Sequence, residues 1–273
     1  MSAIAALSTA ASALRQNPVI FAVALLFSVV SSVSILLQFL GGVLEIAWYV
    51  VWFVTWPFLL GGFIGLIHEG LGGRASLDTF VEDGKSNYVR LLLATILFAI
   101  GMVGLVFAGM IAFIIVAVFG GVSAMALEGG AVLGARLLMI ALVLIGMLIY
   151  LLLFAAIQFY DVAIVVSGAG AVQSFGHSLR IFRHHFLSVI GFTLLFSAIS
   201  LLGQLPGYVL YFLAIEFPGP EDPAATPTVA SEPLLALSVG AMLVFGTLAF
   251  GFAYTYFVAF YDEVRSTVES TAT

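Results

Sequence analysis

Apolar residues run along this chain in six long blocks, at 18–40, 46–67, 91–119, 137–160, 186–213 and 234–261. Each block matches or exceeds the about 20 residues that a helix needs to cross a hydrocarbon core of roughly 30 Å. Charged residues fall near the block ends. A water-facing helix would show a polar stripe at 3.6-residue spacing, yet stretches 91–100 and 137–153 carry almost no polar residue. The pattern predicts an all-α, polytopic membrane bundle of six transmembrane helices. The runs are continuous and too long for the alternating strands of an outer-membrane barrel. The first cation is Arg15 and the block after it is too long for a signal-peptide h-region, so the first helix is expected to remain as a signal anchor.

Shorter amphipathic stretches lie before alternate blocks. Val172, Phe175, Leu179, Phe182 and Phe186 recur at three and four, with Gln173, His177, Arg180 and His184 on the other face. Ser76 is placed to cap a helix whose apolar face is Leu77, Phe80 and Val81, ending near Arg90. Ile4, Leu7, Ala11 and Leu14 make a weaker stripe at the start. Such helices are expected to lie among lipid headgroups.

These pieces suggest one unit used three times: an amphipathic helix, a span out and a span back. Ala13-Leu14-Arg15 precedes Leu25-Leu26-Phe27-Ser28, and Ser178-Leu179-Arg180 precedes Leu194-Leu195-Phe196-Ser197. Thr95-Ile96-Leu97-Phe98 stands in the middle copy. Phe159-Tyr160-Asp161 and Phe260-Tyr261-Asp262 close two copies, where the first ends in His68-Glu69. The expected layout is a single membrane domain over 1–273, with a parallel threefold repeat of units 1–67, 68–160 and 161–263. A loop at 216–233 and a short tail at 264–273 complete it.

Composition agrees with a bilayer. Charged residues make up 8% of the chain and hydrophobic ones 63%, against about a quarter charged in a soluble domain. Charge also sets the topology. Arg15, Arg74, Lys85, Arg90, Arg180, Arg183 and Arg265 fall on one side of the six spans and only Arg136 on the other. The positive-inside rule puts the first set and both termini in the cytoplasm, in a cell membrane. The opposite side carries Glu45, Glu128, Glu216, Glu221, Asp222 and Glu232. With five prolines and four acids, loop 216–233 is expected to be extended and mobile. A net charge of −6 argues against a nucleic-acid partner. Cysteine is absent, which removes disulfides, thiolate metal sites and cysteine nucleophiles.

Candidate chemistry is sparse. Within the spans the polar groups are Gln38, Gln158, Gln204 and hydroxyls such as Ser28, Ser31, Ser32, Ser197 and Ser200; no carboxylate sits at mid-depth, as a proton- or sodium-driven carrier would need. Hydrogen bonding between helices is the expected use of these residues. His177, Arg180, Arg183 and His184 form a basic patch suited to anionic lipid headgroups. The histidines lack the spacing of a zinc site. Asp161, Asp262 and Glu69, each just past a returning span, are expected to pair with Arg15, Arg90 and Arg180. No nucleophile–base pair accompanies them, and no cofactor is implied. Gly61-x-x-x-Gly65 and Gly101-x-x-Gly104 would let backbones approach closely, and Pro57 and Pro206 would kink their helices.

Ser178-Leu179-Arg180, Leu195-Phe196-Ser197 and the Phe-Tyr-Asp ends give the chain a likeness. It resembles uncharacterised archaeal, especially haloarchaeal, six-helix membrane proteins and, more remotely, the membrane domain of glycerophosphodiester phosphodiesterases. The hydrolase domain of the latter is absent, so no catalytic residue carries over. The function expected from the sequence is that of a non-enzymatic structural, assembly or regulatory membrane component. The alternative is a transporter or channel for a small or lipidic solute, marked by a continuous polar cavity through Gln38, Gln204 and the serines. A membrane-protein partner and a homo-oligomer both remain open.

Overall fold

The computed structural model describes residues 3–37, 42–125, 130–217 and 227–270. Gln38, Glu128, Glu221 and Asp222 lie outside them. The described residues form α1 (Ala3–Gln16), α2 (Val19–Leu37), α3 (Gly42–Gly72), α4 (Leu77–Met125), α5 (Gly130–Ile157), α6 (Tyr160–Ser167), α7 (Ala171–His184), α8 (Phe186–Ala214) and α9 (Glu232–Ser270). Strands β1 (Ile215–Glu216) and β2 (Thr228–Val229) pair antiparallel, Ile215 opposite Val229, and tie the base of the proline-rich loop between α8 and α9.

Among the described residues, five helical stretches are long and apolar enough to cross a membrane: Gly42–Gly72, Leu77–Ile111, Met139–Ser167, Phe186–Ala214 and Glu232–Thr267. A sixth is counted only if α1 and α2, which meet at 96°, form one bent span. The bend falls at Asn17-Pro18. Proline offers no N–H and disfavours helical geometry in the residue before it, so the chain turns there.

Elsewhere helices run further than the apolar blocks suggest. The surface helix expected to end near Arg90 does not end: α4 is one helix of 49 residues. Nothing between Lys85 and Arg90 breaks it, since that stretch holds neither proline nor glycine. The expected tail at 264–273 is helical through Ser270 as part of α9. The unit boundaries expected after 67 and 263 fall inside α3 and α9. Pro57 and Pro206 both lie inside continuous helices.

The buried faces differ from the large-residue stripes. In α1 the buried residues are Ala3, Ala6, Ala10, Ala13 and Leu14, while Ile4 is exposed. In α7 they are Ser174, Ser178 and Ile181, while Val172, and Phe186 at the start of α8, are exposed. Small side chains let these helices sit close to their neighbours, and lipid is as good a solvent for the large ones as a core would be.

Glycine governs the tightest helix pair. A Cβ on Gly62 would overlap the Phe80 carbonyl, one on Gly65 would overlap the Asp83 carboxylate, and one on Gly84 would come within 2.9 Å of the Phe58 carbonyl. The bare backbones of α3 and α4 therefore touch. Gly203 and Gly207 of α8 similarly receive Ala249 and Met242 of α9. Gly101 and Gly104 do no such work, because a Cβ at either would meet nothing within 4 Å.

Candidate functional site

Polar side chains gather at the end of the bundle where α1, α6 and α7 lie. Asn17, buried at the α1–α2 bend, donates from Nδ2 to the carbonyls of Ala13 (3.0 Å), Gly70 (3.1 Å) and Gly73 (3.0 Å). Its Oδ1 accepts from the Ala75 amide at 2.8 Å. One side chain thus holds the α1–α2 corner to the α3–α4 turn. Beside it Glu69 accepts from the Ser76 amide at 2.8 Å, and the Ser76 hydroxyl accepts from the Thr79 amide at 3.3 Å as the N-cap of α4.

A second junction lies where α5 stops and α6 begins. The Ser178 hydroxyl of α7 donates to the Ala156 carbonyl at 2.8 Å and accepts from the Phe159 amide at 3.1 Å, satisfying both sides of the break. Gln158 donates to Thr193 of α8 at 2.8 Å and to the Ala155 carbonyl at 3.2 Å. Because the helix restarts at Tyr160, Asp161 sits in a first turn, beside backbone amides that have no partner within the helix. It is buried and accepts from the Val162 amide at 2.8 Å.

The other end of α6 faces two arginines. Gly168 takes the left-handed conformation (φ 65°) that closes the helix, and its carbonyl accepts from Arg90 at 3.0 Å. Arg265 donates to the Val166 carbonyl at 3.1 Å and pairs with Asp262 at 2.9 Å. His68 Nε2 lies 3.7 Å from the same Asp262 carboxylate, and Ser167 shares a hydrogen bond of 2.8 Å with the Tyr261 hydroxyl. The acids expected to meet Arg15, Arg90 and Arg180 therefore have other neighbours. Asp161 is held by a backbone amide, Glu69 by Ser76, and Asp262 by Arg265 and His68. Arg15 is exposed and bonds no described residue.

On α7, Arg180, Arg183 and His184 are exposed and His177 is half-buried. His184 Nδ1 lies 2.9 Å from the Arg180 carbonyl. Burial, with His184 adjacent, holds the His185 imidazole below its usual value at the α7–α8 corner. Among the described residues no three His, Asp or Glu side chains gather closely enough to hold a metal ion.

Away from this end, α2, α3, α8 and α9 enclose a cavity of about 340 Å³. Ser28, Ser31, Ser32, Ser34, Gln204 and Tyr208 supply its polar wall. Phe27, Trp56 and Phe250 close it on the side of the packed end, with Phe27–Phe250 centroids 4.8 Å apart. Behind them Phe63 stacks on Phe250 at 5.4 Å, and the aromatic core continues through Tyr254 and Phe257 to Phe159. The three glutamines thus divide: Gln158 ties two helices, Gln204 faces the cavity, and Gln38 is outside the described residues. Asn17 is the residue that sequence reasoning passed over; an asparagine before proline at the head of an apolar block is a turn signal.

Exposed apolar side chains along the spans and polar ties at helix ends define a multi-pass, all-helical membrane protein. Over residues 1–264 the chain matches the family described as Domain of unknown function (DUF7847), and it belongs to that family. Searches of the curated proteins and of the solved structures give no match.

Proposed function

We propose that this protein is a non-enzymatic, six-span component of the cytoplasmic membrane, with both termini inside, that organises the bilayer or a membrane assembly through its basic end. The observation that carries the reading is a division among cations. Arg90 and Arg265 are spent on the carbonyls that close α6, whereas Arg180 and Arg183 are exposed and bond no described residue. Exposed cations beside a membrane attract acidic headgroups, at about 1 kcal/mol each. In this reading α1 and α7 lie in the interface, and the unit of surface helix and two spans is used three times. Support for the repeat comes from its closing residues: Phe159 stacks on Phe260 at 5.9 Å, and His68 meets Asp262. The non-enzymatic reading rests on where the polar groups at this end are directed, since most of them bind helix-terminal backbone.

The test is lipid retention. Purified from a membrane of mixed composition, the protein should carry anionic lipids into native mass spectra. Changing His177, Arg180 and Arg183 together to alanine should reduce that number; an unchanged count would refute the headgroup role. Transport is the second reading, favoured by the polar cavity and weakened by its aromatic floor.

A further inference from the structure

The cavity among α2, α3, α8 and α9 has a chemistry of its own, independent of the basic end. Three of its serines use their protons on their own helix: Ser28 donates to the Ala24 carbonyl (3.3 Å), Ser32 to that of Ser28 (2.9 Å) and Ser34 to that of Val30 (3.4 Å). Their oxygens keep lone pairs, and Ser34 already accepts from Trp48 at 2.7 Å. The Ser31 hydroxyl and the Gln204 amide bond no described residue. Ser31 is exposed and Gln204 half-buried, so this wall can both donate to and accept from a guest. Among the described residues no charged side chain lines the space, so none of them would compensate a charged guest. Opposite the polar wall, the Phe27, Trp56 and Phe250 rings offer an apolar face. Gly246 adjoins the wall, where a Cβ would stand in ordinary contact, 3.6 Å from both the Gln204 amide and the Ser28 hydroxyl.

We propose that this cavity is a binding site for an uncharged polyol group, its hydroxyls on Gln204 and the serines and its C–H face on the aromatic floor. Such a group comes either as the head of a neutral lipid or as a free solute. The cavity volume falls within the range usual for small-molecule sites.

All three tryptophans lie on α3, and Trp56 lines the floor, so tryptophan emission of the full chain in phosphatidylcholine nanodiscs reports occupancy. The probes are monooleoylglycerol, free glycerol and methyl oleate, which lacks hydroxyls. Saturable change with monooleoylglycerol alone supports the proposal with a lipid source; saturable change with free glycerol supports it with a soluble source. No saturation by either, or an equal response to methyl oleate, overturns it. Gln204→Leu should weaken binding about tenfold and the milder Ser31→Ala about threefold, with helicity unchanged by circular dichroism. Unaltered affinity in both variants would also overturn it.

Discussion

α4 passes through two environments, a charged first third packed on α3 and an apolar remainder, with glycines in both. Its first third lies against α3 so closely that glycine is required on both helices, at Gly62 and Gly84. Further along, Val103, Val106, Phe107 and Ile111 are exposed, and Gly101, Gly104 and Gly109 meet nothing. There α4 faces α5 across a gap of about 580 Å³ lined by residues such as Leu105, Val106, Met139 and Val143. A small-residue motif therefore has no steric meaning until a partner backbone is beside it. Apolar character is equally uninformative here, because lipid and protein core solvate it alike.

The sharpest way to break the contrast is to add one methyl group on each side of it. Gly62→Ala drives a Cβ into the Phe80 backbone and should cost about 3 kcal/mol, read as denaturant-induced loss of helicity in micelles. A cost below a third of that would mean that α3 and α4 are not in backbone contact. Asn17→Ala comes next, at about 2 kcal/mol, because it strands the Ala75 amide and the Gly70 and Gly73 carbonyls; wild-type stability would show that water replaces the side chain. Ser178→Ala should cost about 1 kcal/mol through the α5–α6 break, and Ser178→Thr, which keeps the hydroxyl, should recover part of it. At the exposed end Gly104→Ala should be neutral or stabilise by up to about 1 kcal/mol through helix propensity. A loss of stability there would reveal a partner helix on the hairpin.

The same contrast explains what could be read from the chain alone. Apolar block length announces spans because the bilayer imposes a minimum length, and an all-helical bundle follows. Which face of a helix turns inward does not follow. Val172 and Ile4 look like core residues by spacing, yet the contacts go to Ser174, Ser178 and the alanines of α1. Helix continuity was hidden too, since a charged stretch such as that around Lys85 and Arg90 continues a helix as readily as it ends one. Among site residues, Gln204 and the serines were visible as polar groups in apolar blocks. Their shared cavity depends on helices far apart in sequence. The place of Asp161 at a helix start is not legible locally, because the groups freed at the Phe159 break are satisfied by Ser178, nineteen residues away.

At 1.5 Å per residue, the 49 residues of α4 make a rod of about 74 Å, more than twice the thickness of a hydrocarbon core. Its foot is clamped by the glycine contact and by the Arg90 bond to Gly168, while Val103, Phe107 and Ile111 further along are exposed. The helix is a mast stepped at one end. For a straight helix of that length, a small rotation at the clamp corresponds to a much larger displacement at the tip. The Arg90–Gly168 bond therefore sits near the fixed end of a long lever.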